Sequence, residues 1–189
     1  MVLVAFVLDL VFIVVAFGAR TWVQRRRTGD MGWRLGRPHS AAEAGARALL
    51  VGSALAIVAS LVTTEESPSA VVASLSVAGA TASIVLVAVA QLQMAESWRI
   101  GVDPDERTEL IRSGLYSHVR NPIYTGMAAY TVAHVGLTPS PAAVVAVLLM
   151  VVGVEVQVRS VEEPYLARVH GEAFHAWTRS SGRFVPRVG

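Results

Sequence analysis

The sequence contains no cysteine and no lysine. Without cysteine it forms no disulfide and offers no thiolate to a metal. The five histidines (His39, His118, His134, His170 and His175) are spaced neither as HxxxH nor as HExxH, so no metal motif is present either. Charge is scarce: 16% of the residues are charged, against about 25% in an ordinary soluble domain. With 53% hydrophobic residues, that composition excludes a conventional soluble fold. The net charge of +2 is small, and the arginines do not interleave with aromatics on one face. No nucleic-acid partner is expected.

What the chain has instead is long apolar runs. Met1 to Gly18 is interrupted only by Asp9. It lacks the basic start and small-residue cleavage site of a signal peptide, and is expected to stay as a helix. Ala41 to Thr64 and Ser67 to Ala95 form the second and third runs; about 20 apolar residues suffice to cross a bilayer core. Asn121 to Val154 gives 34 residues without a formal charge, broken by GLTPSP at 136–141. Glycine and two prolines there predict a turn, hence a tight helical hairpin whose second arm continues to about Glu163. The expectation is an all-α integral membrane protein of about five transmembrane helices. Residues 1–95 hold the first three, with a basic loop; residues 96–189 form an interfacial helix, the hairpin and a helical tail. A four-span bundle with the first run standing outside it is the alternative.

Arginine placement sets the expected orientation. The first loop, the third loop and the tail carry arginines, while TTEESPS (63–69) and GLTPSP carry none. The N-terminus is expected outside, with the long loops, the site and the C-terminus in the cytoplasm of a bacterial inner membrane.

Three segments at the arginine-rich end have readable chemistry. In DPDERTELIRSG (103–114), Asp103 suits a cap, Pro104 a first helical position, and Gly114 the residue beyond the end, predicting a short surface helix. In GLYSHVRNPIYTG (114–126), Asn121 and Pro122 predict a helix start that points its positive end at Arg120. Free backbone N–H groups and a guanidinium there suit a carboxylate or phosphate. Tyr116 and Tyr124 supply flat faces with polar tips, and Gly126 permits close approach by a ligand or a helix. Interfacial anchoring by the same tyrosines and arginine reads equally well. In EVQVRSVEEPYL (155–166), Glu155, Arg159, Glu162 and Glu163 fall within about a third of an ideal helix circumference. They are expected to face the bundle or a wet cavity; the other reading is a self-satisfied Glu155–Arg159 pair with Glu162 and Glu163 in headgroup water. An anion site and a carboxylate cluster at the two ends of one hairpin suit a zwitterionic ligand.

These residues resemble the isoprenylcysteine carboxyl methyltransferase family and its relatives, the phospholipid N-methyltransferases. Their pattern G-x-Y-x-x-x-R-H-P-x-Y-x-G finds Gly114, Tyr116, Arg120, Pro122, Tyr124 and Gly126. R-x-x-E-E-x-x-L finds Arg159, Glu162, Glu163 and Leu166, and the closing motifs find Gly171, Phe174, Trp177, Arg183 and Pro186. Asn121 replaces the family histidine, so a proton-carrying imidazole at that position is absent. SWRIGVDPDERTEL looks like a bacterial branch. The resemblance spans about residues 96 to 187. It implies S-adenosylmethionine as methyl donor and a lipophilic acceptor (carboxylate, amine or hydroxyl) entering from the membrane lipid. The implied cofactor site comprises Tyr116, His118, Val119, Arg120, Asn121, Pro122, Tyr124, Gly126, Glu162 and Glu163, with Arg159 and Glu162 catalytic. An NADPH-dependent membrane reductase of related architecture and a non-catalytic scaffold remain as other classes.

Overall fold

The computed structural model describes residues 1–101, 106–107 and 109–187. Six helices order the described residues: α1 (Val2–Thr28), α2 (Ala41–Thr63), α3 (Ala70–Gln93), α4 (Pro122–Leu137), α5 (Pro141–His170) and α6 (Glu172–Ser180). Among the described residues there is no strand, only the isolated bridges Trp33–Ile100 and Val119–Gly182. Four helices, α1, α2, α3 and α5, are long and apolar enough to cross a membrane. The fifth expected span, α4, has 16 residues, about 24 Å of rise against a hydrocarbon core of about 30 Å. It nevertheless packs inside the bundle as the first arm of the hairpin.

The polarity of the bundle runs opposite to that of a soluble protein. Leu3, Val62, Leu75 and Leu148 stand on its outside, Val62 with 83% of its surface open. Ser53, Ser60, Ser83, Thr131 and His134 are buried within it. Small and hydroxylated residues belong at helix contacts in lipid, where backbones must approach closely and polar groups need partners. Ser53 Oγ donates to Ala146 O across the α2–α5 contact at 2.8 Å. Helix starts follow local chemistry: Ser40, Ser69 and Ser140 each accept a backbone N–H three residues on, satisfying a first-turn donor.

α1 belongs to the bundle and does not stand apart from it. Phe12 packs against Tyr130 of α4 with ring centroids 4.4 Å apart, and Tyr130 Oη donates to Asp9 Oδ1 at 2.6 Å. Two π turns widen the long helices, at Val14–Ala19 in α1 and at Val158–Glu162 in α5.

The surface helix expected over 103–114 is not formed where the chain is described. Glu106, Arg107 and Glu109–Arg112 are not helical; the capping residues Asp103 and Pro104 lie outside the described residues. Glu106 is drawn off by tertiary partners, accepting from Arg34 at 2.9 Å and from Arg99 at 2.9 Å. Gly114 does take a left-handed φ of 60°, but as the start of a 3-10 turn, Gly114–Ser117.

Gly126 settles the approach of α4 to α3. A Cβ there would lie 2.6 Å from Val87 Cγ2 and 3.3 Å from Ser83 O. Overpacking of that kind costs about 1–3 kcal/mol. Gly126→Ala is therefore expected to lower the thermal midpoint of the purified protein. Gly45→Ala in α2, where nothing lies within 4 Å, is expected to leave it level or slightly higher. Equal midpoints for the two variants would contradict this packing.

Candidate functional site

A cavity of about 900 Å3 opens among the helices at the arginine-rich end and runs into the bundle. Its outer part is polar, lined by Arg99, Glu106, Arg120, Asn121, Tyr124 and Glu162. Its inner part is apolar, with Phe12, Ile57, Met127 and Met150, and ends near Asp9 and Tyr130. A volume of this size is at the upper end for pockets that enclose a drug-sized ligand.

The π turn in α5 decides which carboxylates reach it. Pro164 has no N–H for the carbonyl four residues back, and the helix widens immediately ahead of it, over Val158–Glu162. Each residue then advances less than 100°, so the stripe expected of an ideal helix comes apart. Arg159 and Glu155 pair with each other at the surface, with side chains 56% and 37% exposed. Glu162 turns into the cavity, where its Oε1 accepts from Tyr124 Oη at 2.5 Å and from Gln157 Nε2 at 3.2 Å. Its Oε2 has no partner among the described residues.

Glu163, one residue on, closes a different contact. It accepts two bonds from Arg183, at 2.9 and 2.7 Å, and one from Arg120 at 3.3 Å. The doubly bonded carboxylate pushes the Arg183 guanidinium pKa up. Arg120 also donates to Ser181 O and Thr178 O, leaving its Nε buried and unpartnered among the described residues. The backbone continues the joint: Arg120 N donates to Gly182 O, Gly182 N to His118 O, and Asn121 N to Arg183 O. The end of the chain is thus laced onto the start of α4.

The side chain of Asn121 joins this lacing and does not cap its helix. No side-chain cap bond forms; Nδ2 donates to Arg183 O at 3.1 Å. Trp177 of α6 donates to Tyr116 O at 2.8 Å, and Ala90, Tyr116, Phe174 and Trp177 pack as one cluster. Burial pushes the Tyr116 phenol well above its usual range, so it remains a neutral donor. At the mouth, Arg34 and then Arg99 hold the Glu106 carboxyl below the usual range, and Tyr165 Oη donates to Glu106 O.

The sequence-predicted residues therefore divide. Tyr116, Arg120, Asn121, Pro122, Tyr124 and Glu162 meet on one cavity wall. Gly126 faces α3, Val119 is buried in its bridge to Gly182, and Glu163 ties the tail. His118 is exposed, its ring against Ser117 Oγ at 2.8 Å, and Arg159 lies outside the cavity. Sequence reasoning missed Gln157, which no motif marks, and the Arg34–Glu106–Arg99 cluster, in which Arg34 comes from a loop 72 residues from Glu106.

Charge-assisted bonds such as those on Glu163 contribute about 1.5–3 kcal/mol each. Glu163→Gln is expected to open the tail and raise the rate of tryptic cleavage at Arg183 about tenfold or more. Glu155→Gln, which disturbs only the exposed pair, is expected to leave that rate unchanged; equal rates in both variants would refute the clamp.

No curated protein matches the chain. A family model, phospholipid methyltransferase, matches residues 70–173, just over half of the 189 residues. The match takes in α3, the 3-10 turn with Tyr116, the hairpin and all three glutamates of α5. This helical membrane protein belongs to the phospholipid methyltransferase family.

Proposed function

We propose that the chain is an integral membrane, S-adenosylmethionine-dependent methyltransferase acting on a lipophilic acceptor that enters from the bilayer. The observation that carries this reading is the joint position of Glu162 and Arg120 on one cavity wall, at the polar end of an apolar channel. The residues fit the methyl donor. Glu162 Oε2 suits its ammonium or ribose hydroxyls, and the unpartnered Arg120 Nε together with the start of α4 suits its carboxylate. Tyr116, Tyr124 and Trp177 offer aromatic faces to a cationic centre. When bound, the donor supplies an electrophilic methyl group.

The chain's own contribution is alignment and exclusion of water. Orientation of two reactants is worth about 7–11 kcal/mol when attack geometry is held. Tyr124 and Gln157 fix the Glu162 carboxyl from one side, and the tail covers the opening through Glu163 and Trp177. A carboxylate acceptor needs no base. An amine or hydroxyl acceptor must release a proton to a base. Arg159, paired with Glu155 outside the cavity, takes an interfacial role in this account.

Calorimetric titration with S-adenosylhomocysteine tests the cofactor site. Glu162→Ala is expected to weaken binding at least tenfold and Tyr124→Phe by less, with Arg159→Ala unchanged. Wild-type affinity in Glu162→Ala would remove Glu162 from the site. The orientation is a second test, made simple by the absence of cysteine. Ser67→Cys is expected to react with an impermeant maleimide on intact cells, and Arg26→Cys only after permeabilisation. The reverse pattern would invert the topology.

A further inference from the structure

The inner end of the cavity carries a polar group that methyl transfer at Glu162 does not use. Asp9 stands in its wall, in the otherwise apolar first part of α1, Val2–Ala19. Its Oδ1 accepts from Tyr130 Oη at 2.6 Å, and His134 Nδ1 lies 3.2 Å from the same oxygen but off the hydrogen-bond direction, since that nitrogen has no hydrogen-bond partner. Oδ2 is buried and has no partner among the described residues. A carboxyl oxygen left bare in the middle of a membrane protein is costly. The carboxyl therefore accepts one hydrogen bond among the described residues, from Tyr130, and has acceptor capacity to spare in the cavity wall.

His134 Nε2 lies 2.8 Å from Ser60 Oγ, so Asp9, His134 and Ser60 follow one another as in a nucleophilic triad. That reading fails on access. Ser60 is fully buried, does not line the cavity, and is also bonded to Ile57 O at 2.7 Å and to Thr138 Oγ1 at 3.0 Å. The Ser60–His134–Thr138 group ties α2 to α4. Of Asp9, Tyr130, His134, Ser60 and Thr138, only Asp9 and Tyr130 line the cavity.

We infer that the inner end of the cavity binds a second polar group of the methyl acceptor, a hydroxyl or ammonium that donates a hydrogen bond to the Asp9 carboxyl, which stands in the cavity wall with its side chain 12% exposed. The inference rests on the cavity being the acceptor site. Tyr124 and Tyr130 are six residues apart on α4 and both line the cavity, which separates the two polar ends by about 9 Å along the helix axis. The acceptor class is then an amphiphile with polar groups at both ends of an apolar spacer of that length. A simple single-headed lipid would bury its hydrocarbon against a bare carboxyl.

The test uses the full chain purified in detergent and two probes, a linear α,ω-alkanediol spanning this distance and its monomethyl ether. The ether accepts hydrogen bonds at its capped end but cannot donate there. Affinities come from the concentration dependence of the thermal midpoint. Wild type is expected to bind the diol about tenfold more tightly than the ether, the worth of one hydrogen bond to a charged group. In Asp9→Asn an amide replaces the carboxyl, an N–H stands where one acceptor oxygen was, and the preference is expected to vanish or reverse. Equal wild-type affinities, or a preference that survives Asp9→Asn, would overturn the inference; the wild-type comparison decides even if the variant fails to fold. Titration of the same sample with S-adenosylhomocysteine separates the two readings. Cofactor binding without a diol preference removes only the inner site, and a diol preference without cofactor binding removes only the methyl-donor reading.

Discussion

Two consecutive carboxylates at the end of α5 serve different parts of the molecule, and the arginine-rich end depends on that division. Glu162 faces the cavity and Tyr124; Glu163 faces Arg120 and Arg183. On a regular helix neighbouring residues diverge by 100°, so two adjacent glutamates alone would separate in this way. What the π turn adds is the removal of Arg159 from the same face. Were Arg159 still beside Glu162, it would neutralise the cavity carboxylate directly. Widening the helix sends it out to Glu155, and Glu162 keeps only a phenol and an amide as partners.

The shortness of α4 has a related consequence. With about 24 Å of rise, α4 does not reach as far as its neighbours, and space is left above its first turn. The tail occupies part of that space through backbone bonds from 118–121 to 182–183 and through Thr125 Oγ1, which donates to Phe184 O at 2.7 Å. The remainder is the mouth of the cavity. Arg120, with its side chain 9% exposed, is held by Glu163 of α5 and by the carbonyls of Thr178 and Ser181 at the end of α6. An arginine so placed is not a snorkelling anchor, because its head is directed into protein instead of headgroup water.

The apolar runs, the glycine–proline turn and the arginine asymmetry made the bundle legible from sequence, because membrane insertion acts on composition over tens of residues. The cavity wall was legible too: Tyr116, Arg120, Asn121, Pro122, Tyr124 and Glu162 sit in two compact motifs at the ends of one hairpin. Three features were not. The helix expected at 103–114 gave way at its described residues to ion pairs of Glu106 with nearby Arg99 and with Arg34 of a distant loop, which local propensity does not see. The place of Arg159 depended on a π turn, whereas periodic reasoning assumes 100° per residue. Asn121 looked like a cap because asparagine usually is one, yet its amide found the carbonyl of Arg183, 62 residues away.

The family match ends at residue 173 and begins at residue 70, so it contains Tyr124 and Glu162 but neither wall that encloses them. Arg183, Gly182 and Trp177, which close the outer end, lie beyond it. Asp9 and Phe12, which close the inner end, lie before it. The enclosing segments are attached by different physics. The tail is held by ion pairs and backbone bonds, which are directional and open to competition from water at the interface. α1 is held by an aromatic contact and by the Tyr130–Asp9 bond, within the span, where a lost polar partner is costly. Opening of the cavity should therefore occur at the tail and not at α1. The inner wall then acts as a fixed template, and the outer wall as the part that yields when ligands enter or leave.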